Sequence, residues 1–443
     1  MLDRTYRVQI PHRSGQLARV MEAIAQGEGL IGDVVTVSIG REHSIREITV
    51  EVRDDEQASQ IAELLEAIAG VSVIWHEDRA LIRHQGGKLR VDPVNPVRTL
   101  QEMRDVYTPG VARVSQAIAA TPALARRYTT IAHTVAICTN GTRVLGLGNI
   151  GPVASMPVME GKAVFYRQFA GLSAIPILID SEDVDVFVDT VVRIAPTFGA
   201  IHLEDISAPE CFEIERRLID ALSQPVMHDD VHGTAVVSVA AAMVAARNAG
   251  VELSASVIGQ IGLGAAGYGI ASLMVQGGGR RVMGYDPVPG ARERAAAAGV
   301  ELASMEEVMA SADIVLATTG RPGLIEPSMV RRGQVVLALS NPDPEILPEA
   351  AEAAGAAFAA DGRSVNNVLG YPGIFRGALE SGASEINVEM KLAAAKAIAE
   401  LTQEGEIVPD ALSQDVHEAV ARAVREAAKS SGVARRELAT AEL

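Results

Sequence analysis

The sequence predicts an α/β protein in three parts: a small βαββαβ unit, a middle region of alternating helices and strands, and a doubly wound parallel sheet. Three observations predict it. Strand and helix patterns follow one another in βαββαβ order through residues 1–83. Beyond residue 98, apolar β-branched runs alternate with helical stretches, as strands buried on both faces of a mostly parallel sheet do. A glycine fingerprint then follows one such strand and opens a helix.

In the first part, "RTYRVQIP" reads as a strand and "GQLARVMEAIAQGEG" has helical apolar spacing. "GDVVTVSIG" and "IREITVEVR" alternate like paired strands, and the helix "DEQASQIAELLEAIAG" leads to the strand "VSVIWHEDR". This is the order of a ferredoxin-like, split-βαβ unit. It resembles an ACT domain, a small regulatory module, and the loop "PHRSGQLARV" resembles the turn at which such modules take ligands. The resemblance implies a small effector, an amino acid or another metabolite, on residues 1–83. A dimerisation module without a ligand fits the same topology. Residues 84–98, "RHQGGKLRVDPVNPV", gather Gly, Pro and charge and read as a linker.

Composition narrows the class. A chain of 443 residues exceeds one ordinary core. No uncharged apolar run reaches the roughly 18 residues of a membrane helix, and the N-terminus lacks a secretory pattern, so a cytoplasmic protein without a membrane partner is expected. A net charge of −17 argues against nucleic acid, which needs clustered Lys and Arg. Cys138 and Cys211 lie outside any CxxC spacing and read as structural.

Candidate strands in the rest of the chain are "TVAICTN", "AIPILID", "AIHLED", "ASVIGQIG", "RVMGYD", "DIVLATT" and "QVVLALSN". After "ASVIGQIG" comes Gly262-x-Gly264-x-x-Gly267, with Ala265 opening the helix. The first glycine allows the tight turn, the second lets backbone approach a pyrophosphate, and the third lets helix and strand pack. Asp286 ends the next strand, where an acid receives the adenosine ribose hydroxyls. It would repel a 2′-phosphate, which favours NAD; Arg280, Arg281, Arg292 and Arg294 leave NADP open.

Two acidic pairs follow apolar segments: Glu204-Asp205 and Asp229-Asp230. Like charges so close repel unless a cation or a shared proton holds them. Three carboxylates would make a hard oxygen site for Mg²⁺ or Mn²⁺. His228 and His232 flank the aspartates without a zinc-type partner set. Lys162 stands among Val, Met, Ala and Phe in a chain that otherwise prefers Arg.

At this point the residues resemble malic enzyme in its bacterial form. The carrying stretches are "VYTPGVA", "GTRVLGLGNIGP", "PVMEGKA", "LEDISAPECFEIE", "HDDVHGTA", "ALSNPDPE" and "NNVLGYPGIFRGAL", in family order across roughly residues 100–380. The resemblance implies metal-dependent oxidative decarboxylation of L-malate to pyruvate with NAD(P). It implies Lys162 as the base, with burial lowering its pKa, Tyr107 as the acid that protonates the enolate, and Asp229 as a carboxylate beside the lysine. It puts Glu204, Asp205 and Asp230 on the cation, Arg143 on a substrate carboxylate, and Asn341, Asn366 and Asn367 on substrate and the nicotinamide side. A homodimer or homotetramer is expected. The implied division is an ACT-like domain at 1–83, linker 84–98, a substrate and metal domain at 99–238, a Rossmann NAD domain at 239–385, and helices at 386–443 that pack back on the substrate domain. Two other readings compete: an ACT-linked amino-acid dehydrogenase, which needs no carboxylate trio, and a non-catalytic sensor.

Overall fold

A computed structural model of the protein describes residues 2–144 and 146–435. They form two compact units, which divide between Arg90 and Val91. In the first, strands β1 (Leu2–Pro11), β2 (Leu30–Ile39), β3 (His43–Val52) and β4 (Ser72–Asp78) make an antiparallel sheet in the order β2-β3-β1-β4. That is the ferredoxin-like arrangement. Alternation turns Tyr6, Val8 and Ile10 of β1 and Ile48, Val50 and Val52 of β3 to one face. Helices Gln16–Gln26 and Asp55–Glu66 cover that face through Val20, Ile24, Ile61 and Leu65. The second helix starts at Asp54, whose carboxylate accepts the Gln57 N–H.

The second unit holds two parallel sheets. The first contains β5 (Thr134–Thr139), β6 (Ser173–Leu178), β7 (Ala200–Leu203) and β8 (Val226–His228) in the order β6-β5-β7-β8. The second contains β9 (Val257–Ile261), β10 (Arg281–Tyr285), β11 (Glu301–Leu302), β12 (Ile314–Ala317), β13 (Val335–Ala338) and β14 (Phe358–Asp361). Its order is β11-β10-β9-β12-β13-β14, the doubly wound Rossmann arrangement. In each sheet the chain lays strands to one side of the first strand and then crosses to the other. That switch opens a crevice at the carboxyl ends of the strands, where ligands bind.

Between the sheets runs the helical stretch Asp229–Asn248. Its most apolar window has a mean hydropathy of 1.2, long and apolar enough to cross a bilayer, yet it is 78% buried within the protein and serves as a core helix. The helix Gln414–Ser430 packs on the helical turn Tyr166–Ala170 that precedes β6: Gln414 Nε2 donates to the Phe169 carbonyl at 3.1 Å, and the His417 ring stacks on Phe169. Residues 436–443 of the expected closing segment lie outside the described residues.

Candidate active site

The two crevices open into one cavity of about 810 Å³. Loops after β5 and β7 bring Arg143, Glu204 and Asp205 to its wall, and the turn after β8 brings Asp230. The helix Gly151–Phe165 contributes Lys162. From the other sheet come Gly262, Gly264, Ala265 and Asp286, with Asn367 from the segment after β14. An adjoining cavity of about 280 Å³ shares Thr234, Ala266, Thr318 and Asn367 with it and adds Asn341 and Asn366. Sequence positions spread over more than two hundred residues thus meet at one place.

The glycine fingerprint has the geometry a pyrophosphate requires. Gly262 sits at φ +86°, and a Cβ on Gly267 would lie 1.9 Å from the Gly262 carbonyl oxygen, so neither position tolerates a side chain. A Cβ on Gly264 would meet nothing within 4 Å, which leaves its backbone open to a ligand at the N-terminus of helix Ala265–Gln276. Asp286 braces the turn, accepting the Leu263 N–H at 2.7 Å and the Val288 N–H at 2.8 Å. The four arginines left open by the sequence now separate. Arg281 pairs with Glu301, Arg280 donates to Ala255 O, and Arg294 stacks over Phe212 and Tyr268. Arg292 alone of the four is bonded beside the acid, donating to the carbonyls of Asp286 and Pro287 at 2.7 and 3.0 Å.

Lys162 is 8% exposed, and its Nζ stands 2.5 Å from Asp229 Oδ2 and 2.8 Å from Glu204 Oε1. The Tyr371 ring lies beneath it at 4.7 Å. Asp229 and Glu204 are buried to 0% and 2% exposure. Gly233 makes room for the aspartate: a Cβ there would fall 1.7 Å from Asp229 Oδ1. Burial works against the lysine's charge, as the sequence reading expects, but the two carboxylates outweigh it and hold the Lys162 pKa well above the usual lysine value. This reverses the expected direction. Burial also pushes Glu204 up to about 8 and Asp229 to about 6, since one ammonium cannot fully compensate two buried carboxylates.

Glu204, Asp205 and Asp230 offer oxygens that all lie within 4.8 Å of one another. Asp205 holds φ +53°, an unusual backbone for a non-glycine residue, and its N–H donates to Asp230 Oδ2 at 3.0 Å. An all-carboxylate donor set open to a cavity suits a hard divalent cation such as Mg²⁺ or Mn²⁺ and leaves positions for water or substrate. Of the flanking histidines, His228 keeps its Nδ1 3.7 Å from Asp230 Oδ2, while His232 turns to another partner. His232 Nε2 bonds Glu215 Oε2 at 3.0 Å, and Glu215 also accepts the His228 N–H, so Glu215 fixes the turn that carries Asp229 and Asp230.

Some expected residues stand apart. Tyr107 caps the helix Leu100–Val106, is 71% exposed and is absent from the described lining of either cavity. Arg143 is on the cavity wall but exposed, anchored through its N–H to Asp205 O at 3.1 Å. Asn341 spends its amide on the Gly362 carbonyl at 2.9 Å, and Asn366 caps the turn Asn367–Leu369. Two further buried side chains hold the site together without a signature in the sequence. His202 bridges Tyr166 and Glu204, and Glu345 ties the loop after β12 to Ser340 by accepting from Thr319 and Ser340. Both lie next to or inside recognisable blocks, "IHLED" and "NPDPE", but a buried polar side chain acting through another leaves no spacing signature.

Residues 86–219 match the family described as malic enzyme, N-terminal domain, and residues 232–321 match the NAD binding domain of D-isomer specific 2-hydroxyacid dehydrogenase. The chain is 52% identical to NAD-dependent malic enzyme 1 of Bacillus subtilis, over 96% of this chain and 97% of that protein. It is 41% identical to the NAD-dependent malic enzyme of Geobacillus stearothermophilus, covering 98% and 96%. Among solved structures, malic enzyme from Pyrococcus horikoshii superposes with a TM-score of 0.76 at 38% identity, covering 81% of this chain and 91% of that one. The NAD-dependent malic enzyme of Thermotoga maritima gives 0.73 at 35%, covering 79% and 99%.

Proposed function

The chain belongs to the malic enzyme family, and on that footing we propose that it oxidises L-malate at C2 and releases its C4 carboxylate as CO₂, giving pyruvate with reduction of NAD. The observation that carries this reading is the placement of the Lys162 amine between Asp229 and Glu204, on the wall of the cavity that also holds the glycine fingerprint. The coenzyme, when bound, accepts the hydride that leaves C2. Glu204, Asp205 and Asp230 would hold a divalent cation, which would supply Lewis-acid polarisation of a substrate oxygen and offset carboxylate charge beside Lys162.

Lys162 takes the C2 hydroxyl proton, and Asp229, whose Oδ2 is 2.5 Å from its Nζ, holds that proton in turn while Glu204 is engaged at the cation site. Arginine could not do this, because it stays charged. Arg143 grips a substrate carboxylate with two parallel N–H donors, and Asn367 contacts substrate where the two cavities join. The test is direct. Purified protein with Mn²⁺, malate and NAD should form NADH and pyruvate, and EDTA should abolish it. NADH formed with malate in the presence of EDTA would overturn the metal-dependent reading.

Tyr107 remains the proton donor to C3 in this proposal, and its exposure is then informative. The helices Leu100–Val106 and Val111–Ala120 bury no residue, while Leu100, Met103, Val106 and Tyr107 form an exposed apolar row. Such a row calls for cover, and an even-numbered assembly supplies it. The first unit adds a cavity of about 290 Å³ lined by His12, Arg13, Ser14 and Arg46, which suits a small anionic effector. Titrating a panel of amino acids and carboxylic acids into the activity assay tests this, and a response that survives Arg13→Ala with Arg46→Ala counts against that site.

A further inference from the structure

A string of buried polar groups lies behind the carboxylate that Lys162 and the cation share. Tyr166 Oη is 2.7 Å from His202 Nδ1, and His202 Nε2 is 2.6 Å from Glu204 Oε2. Glu204 Oε1 in turn receives Lys162 at 2.8 Å. Tyr166 and His202 are both 0% exposed. The imidazole is clamped on its faces and edges as well: Phe375 stacks on it at 5.4 Å, and Tyr371 and Tyr166 meet it edge-on. His202 sits on β7 two residues before Glu204, so the strand's alternation points both side chains the same way.

His202, Glu204 and Asp229 could be taken for a second metal set, since their ligand atoms also cluster. The geometry argues otherwise. Neighbouring ligands of an octahedral Mg²⁺ at about 2.1 Å lie about 3.0 Å apart, and the 2.6 Å between His202 Nε2 and Glu204 Oε2 is a hydrogen bond instead. The cation between Glu204 and Asp229 is the Lys162 ammonium. A carboxylate that ligates a metal only accepts hydrogen bonds, so Nε2 carries the ring proton and Nδ1 receives the Tyr166 hydroxyl.

We propose that His202 is a positioning residue for the divalent-cation site: held in one tautomer by Tyr166, it donates to Glu204 Oε2 and fixes the carboxylate plane so that one group can serve both Lys162 and the cation. The proposal rests on the reading of Glu204, Asp205 and Asp230 as the cation site. Partners that orient a metal's own ligands typically change affinity by about 10- to 100-fold. It also couples the segment carrying Tyr371 and Phe375 to the cation, because that segment fixes the ring.

Mn²⁺ titration of the full-length protein, followed by electron paramagnetic resonance without malate or NAD, tests this apart from turnover. His202→Phe should weaken Mn²⁺ about tenfold or more. His202→Gln, whose amide nitrogen can occupy the Nε2 position, should stay within about threefold of the parent. Tyr166→Phe, which keeps the ring and removes the hydroxyl, should fall between them. NADH binding, read by fluorescence, should be unchanged in all three. Parent-like Mn²⁺ affinity in His202→Phe, or equal losses in the Phe and Gln variants, overturns the proposal. So does a loss of Mn²⁺ binding matched by a loss of NADH binding, which marks misfolding rather than positioning. Asp230→Asn serves as the reference: if it leaves Mn²⁺ affinity intact, the cation site itself is misread, whereas weak binding there with parent-like His202→Phe rejects only the role of His202.

Discussion

The carboxyl ends of the two parallel sheets share an architecture and differ in what they expose. After β7 and β8 the chain gathers Glu204, Asp205, Asp229 and Asp230, with Glu204 and Asp229 almost wholly buried against one lysine. After β9 it presents almost no side chain: Gly262, Gly264 and Gly267 leave backbone N–H groups and a helix N-terminus, with one acid, Asp286, set beyond them. The first end is built to hold cationic charge, the second to admit an anionic pyrophosphate. Opposite electrostatics on similar scaffolds give a cation with its dicarboxylate and a dinucleotide separate places in one cavity.

The comparison is broken most severely at Lys162. Lys162→Ala should lower kcat by about 10²–10⁴, the usual worth of a positioned general base, while NADH affinity stays near the parent value because the fingerprint is untouched. It should also lower Tm, since Asp229 and Glu204 would be left buried without their counter-charge. Parent-like turnover in this variant would remove the base from the mechanism. The other end breaks next. In Gly267→Ala the new methyl meets the Gly262 carbonyl at 1.9 Å, and overpacking of that kind costs about 1–3 kcal/mol. Both Tm and NAD affinity should fall, the latter by at least about tenfold. Gly264→Ala separates the two effects: its Cβ points into open space, so Tm should hold while the KM for NAD rises severalfold. Equal Tm losses in the two glycine variants would mean that Gly264 also packs, contrary to the geometry.

These two ends were not equally legible in the sequence. The glycine turn is a local device, in which strand, turn, helix and Asp286 follow in one stretch, so residues 256–286 alone state the chemistry. The carboxylate end is assembled from helix Gly151–Phe165 and the loops after β5, β7 and β8. From spacing alone, the acidic pairs show that a cation or shared proton is needed, but not which oxygens converge; the roles came from resemblance. The pKa of Lys162 shows the limit most clearly. Its apolar neighbours in sequence suggest desolvation, whereas its neighbours in space are two carboxylates more than forty residues away, and they reverse the direction. His202 escaped notice for a related reason: its effect passes through Glu204, and its partner Tyr166 lies on another element.

A change of preference rather than of activity concerns which dinucleotide the second end accepts. Asp286 uses both oxygens on the backbone, at Leu263 N and Val288 N, and stands next to the carbonyls that hold Arg292. Asp286→Asn keeps the shape but has one acceptor oxygen where the carboxylate has two, and it removes the negative charge that a 2′-phosphate would meet. A unit charge acting on another roughly 8 Å away is worth about 2 kcal/mol at an effective dielectric of about 20, before salt screening reduces it. The ratio of kcat/KM for NAD over NADP should therefore fall about tenfold, with most of the change in KM, and Arg292→Ala added to it should take back much of the gain for NADP. If the ratio is the same in the parent and in Asp286→Asn, the selectivity of this end comes from the shape of the turn rather than from charge, and the electrostatic contrast between the two sheets stops at the carboxylate half.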